Sequence, residues 1–169
     1  IDDWTYGQTA SSPEGESRFG TPVYLYSSSV DGAYTQTVPT AAGTYYMKAK
    51  VAGTDNYDQI ISEAKEFKID KAKITAVADD VTVSYGSPVS ELTYSVSGQI
   101  KQGDDLKIKA TTTATAESNV GSYPITFEWQ ENVNYDVTFV DAVYYVKAGT
   151  SGLNVTASGY TNKYDGNGH

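Results

Sequence analysis

The chain has 169 residues, a formal net charge of −9 and no cysteine. The negative charge argues against nucleic acid and anionic membranes as partners, because both attract a basic surface. The lack of cysteine excludes disulfide bonds and thiolate metal sites. No apolar run is as long as a membrane-spanning helix requires, so we expect no membrane insertion.

The sequence contains an internal repeat. Three tyrosines in its first half recur in its second half at nearly the same spacing. Such a period outweighs chain length as a guide to domain number. We predict module 1 at residues 1–72, module 2 at residues 73–150, and the truncated start of a third repeat at residues 151–169. We also expect the chain to be a fragment of a longer array. The matched pairs are Tyr6 and Tyr85, Tyr45 and Tyr123, and Tyr57 and Tyr135.

Apolar and polar residues alternate throughout the chain, which predicts β-strands and no helix. In Thr44–Val51, for example, Tyr45 and Met47 share one face and Lys48 lies on the other. The strands predicted for module 1 are Thr5–Tyr6, Val23–Ser27, Tyr34–Thr37, Thr44–Val51, Asp58–Ile61 and Lys65–Asp70. Those predicted for module 2 are Ile74–Ala78, Val81–Tyr85, Leu92–Ser97, Leu106–Ala110, Tyr123–Trp129, Asp136–Val140 and Val143–Lys147.

Short segments join the predicted modules. Lys71–Lys73 and Lys147–Ser151 lack the length and composition of a flexible linker. A module of about 75 residues buries only a small core, so contacts with its neighbours matter for stability. The predicted fold is therefore all-β, with two tandem small Ig-like β-sandwich modules arranged end to end.

Several phrases of the sequence match known repeats. Ala42–Tyr46 and Val51–Tyr57 resemble the Ig-like repeats of large bacterial cell-surface proteins. Val83–Pro88, followed by Leu92–Gly98, is similar to the MBG-type (mucin-binding-like, YGX) repeats of bacterial adhesins. Lys163–His169 resembles the opening of the related YDG-type repeats. The resemblance covers nearly the whole chain, except for the divergent segment at residues 11–18.

The resemblance implies an extracellular location on a bacterial cell surface. It implies a non-enzymatic role as a stalk, spacer or adhesion module, with the chain a monomer within its array. The family provides no set of functional residues that can be assigned to positions in this sequence.

Residues for catalysis are scarce. His169 is the only histidine, and it lies at the chain end beside a glycine, where nothing orients it as a base. Glycoside hydrolysis requires two carboxylates that face each other, and sequence neighbours on a strand point to opposite sides. We therefore interpret the acidic pairs as turn residues. They are Asp79-Asp80, Asp104-Asp105 and Glu128/Glu131. We therefore expect no enzyme activity, no cofactor and no catalytic metal.

Two structural additions stay open at this point. Calcium takes oxygen ligands, which Asp79-Asp80 or Asp104-Asp105 would supply, although no Asp-x-Asp-x-Asp-Gly loop is present. A cross-link between a lysine and an asparagine is the other addition. The candidate residues for it are Lys107 or Lys109 with Asn119 or Asn134.

Tyrosine offers the remaining candidate site, since exposed aromatic rings stack on sugars. The tyrosines that recur with the repeat are interpreted as packing residues. The alternative function is binding of host or microbial glycans or glycoproteins through aromatic residues outside these pairs. The residues predicted for glycan contact are Tyr24, Tyr26, Tyr34, Tyr46, Tyr94 and Trp129.

Overall fold

The computed structural model describes residues 1–150 and 155–156. The rest of the predicted third repeat at residues 151–169 lies outside the described residues. The described part forms twelve strands and no helix, which confirms the all-β prediction. It accordingly holds no helix that is long and apolar enough to cross a membrane.

Module 1 forms a single mixed sheet. The strand order is β1-β5-β3-β2, and β4 also pairs with β3. β1 runs parallel to β5, and the other pairs are antiparallel. The inner face of this sheet carries apolar side chains such as Phe67 and Ile69, which alternate with lysines and acids on the outer face. The strands are β1 Trp4–Thr5, β2 Val23–Ser27, β3 Gly43–Val51, β4 Ile60–Ile61 and β5 Lys65–Asp70.

The strands from Ala72 onward, which we count with module 2, form two sheets. One has the order β7-β12-β10-β9 and the other the order β11-β6-β8. In the second sheet the central strand β6 runs parallel to β11 and antiparallel to β8. The strands are β6 Ala72–Ala78, β7 Val81–Ser84, β8 Tyr94–Gly98, β9 Lys109–Thr112, β10 Gly121–Glu128, β11 Tyr135–Val140 and β12 Ala142–Lys147.

Two predicted strands differ from the structure in an informative way. Instead of the predicted Leu106–Ala110, β9 begins only at Lys109. Lys107 has a φ of 53°, a left-handed conformation that ends an extended strand. Tyr34–Thr37 forms no strand and pairs through a single bridge between Thr35 and Tyr26.

The core is continuous across the connection between the modules. β5 ends at Asp70 and β6 begins at Ala72, so Lys71 alone connects the two strands. One cluster of buried side chains includes Phe67 and Ile69 from module 1 together with Ile74 and Tyr135 from module 2. A second cluster, around Ile125 and Tyr144, belongs to module 2 alone.

The two modules do not contain the same sheets. Among the described strands, module 1 has no equivalent of the three-stranded sheet of module 2. Residues 57–62, the counterpart of β11, are paired with β3 through Ile60 and Ile61 instead. The described strands of module 1 thus lie in one sheet, and those of module 2 lie in two.

Candidate functional site: the joint between the modules

Strand pairing places two tyrosines on either side of the connection at Lys71. Tyr6 follows β1, and its backbone N–H donates to the carbonyl of Asp70 at 2.8 Å. On the other side, the N–H of Ala72 donates to the carbonyl of Asn134 at 2.9 Å, so that Tyr135 starts β11 opposite Ala72. The parallel pairings of β1 with β5 and of β11 with β6 therefore bring Tyr6 and Tyr135 together.

The two tyrosine hydroxyls share one carboxylate. Tyr6 and Tyr135 both donate to Oδ2 of Asp104, at 2.8 Å and 2.6 Å. Their rings meet edge to face with centroids 5.4 Å apart. The Lys101 N–H donates to the hydroxyl of Tyr135 at 3.1 Å, and Lys101 Nζ lies 4.9 Å from the centroid of the Tyr6 ring. We call these four residues and Asn134 the joint cluster.

Asn134 binds module 1 through its side chain. Its Oδ1 accepts the backbone N–H of Ala42 at 2.9 Å, while its own N–H donates to Oδ1 of Asn132. Ala42 lies just before β3, so this bond fixes a loop of module 1 against module 2. The joint is therefore held by hydrogen bonds to two separate segments of module 1, at Tyr6 and at Ala42.

Two glycines allow the backbone to reach these positions. Gly103 has a φ of 92° in the turn that presents Asp104, and the N–H of Asp104 closes this turn on the carbonyl of Lys101. Gly7 has a φ of 85° directly after Tyr6, and a β-carbon there would lie 3.5 Å from the β-carbon of Lys101. A positive φ is strained for other residues, which explains glycine after this tyrosine.

The cluster favours a charged carboxylate and neutral phenols. Hydrogen bonds from Tyr135 and Tyr6, and the nearby charge of Lys101, lower the pKa of Asp104 below its ordinary value. Burial and the hydrogen bond to Asp104 raise the pKa of Tyr135 to about 12. The pKa of Tyr6 is raised by the same two causes. These pKa shifts fit a structural role of the cluster, since both phenols must stay protonated to donate hydrogen bonds to Asp104.

We expect stability to fall in alkaline solution because of Tyr135. In the unfolded chain its phenol ionises near pH 10, whereas in the folded chain it keeps its proton up to about pH 12. The folded state then binds more protons, so the contribution of Tyr135 is complete below about pH 10 and is lost as the pH rises to about 12. Urea unfolding midpoints between pH 9 and pH 12 measure this loss.

Tyr135→Phe serves as the control for this pH dependence. It removes the titrating group while keeping the ring, so its midpoint should fall less steeply than that of the wild type over the same pH range. Equal slopes for the two proteins would contradict the assignment. Tyr26, whose pKa is raised by burial and by Tyr24, has no bond to Asp104 and contributes equally to both curves.

Three of the predicted glycan-contact tyrosines belong to module 1 strands. Tyr26 is buried and packs edge-on against Phe67, so its ring is not exposed to a sugar. Tyr24, also on β2, is half-buried and packs against the core. Tyr46, on the outer face of β3, is half-buried and donates its hydroxyl to Oε2 of Glu66 at 3.2 Å.

The other three predicted residues lie in two places. Tyr34 is half-buried near Tyr46, with Nζ of Lys48 4.4 Å from its ring centroid. Tyr94 and Trp129 belong to one aromatic group in module 2, together with Phe127 and Phe139, with neighbouring centroids 5.0–5.9 Å apart. The structure thus does not gather the six residues into one platform.

Two of the three acidic pairs, Asp79-Asp80 and Asp104-Asp105, serve as hydrogen-bond acceptors. Asp79 accepts from the hydroxyl of Thr93 at 2.7 Å, and Asp80 accepts from the N–H of Val143 at 2.8 Å. Asp105 accepts from the N–H of Lys107 and forms an ion pair with its ammonium group. No group of three or more potential metal ligands occurs among the described residues. Asp104 lies in a turn, and its half-buried carboxylate also accepts hydrogen bonds from Tyr6 and Tyr135.

The residues proposed for a cross-link have other partners. The side chain of Asn134 accepts from Ala42, and Lys107 pairs with Asp105. Lys109 lies opposite Glu128 in the pairing of β9 with β10. The carbonyl of Asn119 accepts the hydroxyl of Tyr123 at 2.9 Å.

Sequence reasoning did not identify the joint cluster, although the repeat contains a signal for it. Tyr6 and Tyr135 were interpreted as packing residues, which fits their burial here. Their partners in the repeat behave differently, because Tyr85 is 53% exposed and Tyr57 is 47% exposed. In these two repeated pairs, the tyrosine at the joint is therefore buried and its counterpart is exposed.

Comparison with known proteins bears on module 2. Residues 74–145 match the family model of the MBG domain (YGX type), which confirms the resemblance for this segment. No curated protein matches the chain. One solved structure, of fibronectin(III)-like modules of Clostridium thermocellum CbhA, aligns with 94% of this chain and 95% of its own, at 12% identity and a TM-score of 0.35.

Proposed function

We propose that this chain is a non-enzymatic segment of an extracellular bacterial surface protein. In this proposal, modules of the MBG type found at residues 74–145 stack end to end into a stiff spacer. The joint cluster is the observation that carries the proposal. A single connecting residue, a continuous core and the carboxylate of Asp104 all restrict motion between the modules. A stack of such joints would hold a distal part of the protein away from the cell surface.

The end of module 2 around Tyr85 repeats backbone features of the joint. The N–H of Tyr85 donates to the carbonyl of Lys147 at 2.8 Å, as that of Tyr6 does to Asp70. Gly86 has a φ of 80°, close to that of Gly7. Val120, the counterpart of Ala42, is exposed beside Tyr85. In the spacer proposal this end is the docking surface for the next module of the array.

Distance measurements between the modules test the spacer role. Because the chain has no cysteine, spin labels attach only to cysteines that are introduced. One label at Asp31→Cys and one at Glu117→Cys lie at exposed positions on modules 1 and 2. We expect a single narrow distance distribution by double electron–electron resonance, which broadens when Asp104→Ala is added.

A label pair within module 2 provides the control for this experiment. Glu91→Cys with Glu117→Cys reports the width that the labels alone produce, since both positions are exposed and lie in one module. A distribution between modules that is much broader than this control would contradict a stiff joint. Equal widths with and without Asp104→Ala would show that the joint cluster is not what restricts the motion.

Glycan binding is the alternative function. The observation that favours it is a patch of Tyr34, Tyr46, Lys48 and Glu66 on the outer face of module 1, which combines aromatic rings with polar groups. Such a patch suits a sugar ring and its hydroxyls. Binding to a glycan array by the wild-type chain, lost in a Tyr34→Ala variant, would separate this role from that of a simple spacer.

A further inference from the structure

The strand β8, Tyr94–Gly98, forms one edge of the three-stranded sheet of module 2. Among the described residues it pairs with β6 alone, along one of its two sides. All five of its residues are exposed. Tyr94 and Val96 are 36% and 39% exposed, although they lie opposite Ala78 and Ala76, which are buried on the inner face. The other side of β8 is therefore an open edge.

The backbone groups of every second residue point out of this edge. Asp79 donates its N–H to the carbonyl of Thr93 at 3.1 Å, which directs the backbone of Thr93 towards β6. Because this direction alternates along an antiparallel pair, the residue after Thr93 and every second one beyond it point the other way. The groups that are directed out of the edge belong to Tyr94, Val96 and the N–H of Gly98.

The sequence of β8 lacks the features that usually prevent an edge from pairing. Natural edge strands carry charges or proline, which keep other chains away. Residues 92–100 include neither. The opposite edge of the same sheet is different, because Asp136 lies within β11 and Asp141 follows it. Since the whole chain has a net charge of −9, the uncharged strip at β8 is a place where two copies can approach without repulsion.

The strand is also complementary to itself in the antiparallel direction. When Val96 is placed opposite Val96 of a second copy, Tyr94 falls opposite Gly98 and Ser95 falls opposite Ser97. Glycine leaves room beside the tyrosine ring, and two valines on one face form an apolar cross-strand pair. In this register the outward backbone groups of the two strands face each other, as a ladder requires.

The residues that flank β8 fit the same register. Leu92 falls opposite Ile100, which is 40% exposed. Glu91 falls opposite Lys101, and both are exposed. An antiparallel pair therefore brings unlike charges near each other at both ends, whereas a parallel pair would bring each charge near its own copy. The flanking charges favour the antiparallel arrangement.

We propose that β8 is the site at which two copies of this chain associate, edge to edge, about a twofold axis at Val96. The three-stranded sheets of the two copies then form one continuous sheet, which covers the exposed apolar surface of Tyr94 and Val96. Backbone bonds supply affinity and the self-complementary sequence sets the register, as in other cases of strand addition. The proposal is independent of the spacer role, and it differs from the monomer that the resemblance implies.

The contact between two single chains is weak, because an edge of five residues buries little surface. We expect a dissociation constant of about 0.1–1 mM, as for other small and transient interfaces. Between two long arrays, each further module with such an edge would add a contact at high effective concentration. The edge thus suits the side-by-side association of neighbouring arrays.

Sedimentation equilibrium of the full chain tests the association at concentrations up to about 1 mM. The wild type should form dimers. Val96→Lys places two like charges opposite each other and should weaken dimerisation by about tenfold or more. Val140→Lys makes the same change at a residue of the β11 edge that is 44% exposed, and dimerisation should stay as in the wild type. A wild type that stays monomeric, or equal losses in both variants, would overturn the proposal.

A charge exchange locates the twofold axis. Val96→Lys and Val96→Glu should each be monomeric, because each repels its own copy, whereas an equal mixture of the two should dimerise. Restored dimers also demonstrate that both variants are folded. If the wild type dimerises and the mixture does not, Val96 is not at the axis and the proposal fails.

Hydrogen exchange identifies the edge that pairs. Between dilute and concentrated wild type, exchange should slow at the amides of Tyr94, Val96 and Gly98. It should stay unchanged at Ser95 and Ser97, which already bond to β6. Slowing confined to module 1 or to the surroundings of Tyr85 would place the contact elsewhere and refute the proposal. Protection of β8 by an unrelated strand peptide, but not by a second copy, would refute it equally.

Discussion

Asp104→Ala is expected to lower the free energy of unfolding by about 3 kcal/mol. The carboxylate accepts two hydrogen bonds, from Tyr6 and Tyr135, and bonds to a charged group contribute about 1.5–3 kcal/mol each. Because Asp104 is only half-buried, we take the lower value for each bond. In the variant both tyrosine hydroxyls lose their acceptor at the joint. Urea denaturation at pH 7, followed by circular dichroism, measures the change.

Asp105→Ala is the matched control for this prediction. It removes a neighbouring carboxylate from the same turn, but one that is exposed and bonded only to Lys107. Surface ion pairs of this kind contribute little to stability. We expect the unfolding midpoint of Asp105→Ala to match that of the wild type. If the two variants behaved alike, the hydrogen bonds of Asp104 would not be what stabilises the joint.

Tyr135→Ala is expected to destabilise the chain by about 4 kcal/mol and to separate the unfolding of the two modules. Tyr135 is 1% exposed, and truncation of a buried aromatic residue costs about 3–5 kcal/mol. Its ring lies in the core cluster shared by the modules, and its hydroxyl bonds to Asp104. Loss of this residue weakens the contact through which one module stabilises the other.

The two tryptophans report on the modules separately. Trp4 stacks on Phe67 in module 1, and Trp129 packs against Phe139 in module 2. With Trp129→Phe or Trp4→Phe as background, fluorescence follows one module at a time. The two transitions should coincide in the wild type, as a cooperative unit requires, and diverge in Tyr135→Ala.

Tyr144→Ala distinguishes uncoupling from simple destabilisation. Tyr144 is also a tyrosine that is 1% exposed, but it lies in the core cluster confined to module 2. This variant should lose a similar amount of stability. If the transitions of Trp4 and Trp129 diverged equally in both variants, the joint would have no special part in coupling the modules.

Much of the fold could be predicted from local patterns. The alternation of Phe67 and Ile69 with charged residues identified β5, and Val23–Ser27 and Lys65–Asp70 were predicted with the bounds that the structure has. Where a strand boundary was wrong, as at the start of β9, a single backbone angle at Lys107 decided it. Such an angle depends on the turn around Asp105, whose side chain accepts the N–H of Lys107.

The candidate site was far less predictable. Asp104 looked like an ordinary turn residue, because its two partners lie 98 and 31 residues away in the sequence. The repeat marked Tyr6 and Tyr135 as important positions but gave no reason to pair them with each other. That pairing requires the parallel ladders of β1 with β5 and of β11 with β6, which no local pattern specifies.

The sequence by itself determined that this is an all-β protein built on a repeat of fixed period, since alternation and repetition are local or periodic properties of the chain. Only the tertiary structure decided what each copy does. The same repeated tyrosine is buried as Tyr6, where it packs at the joint, and exposed as Tyr85, because burial depends on contacts that only the folded chain makes.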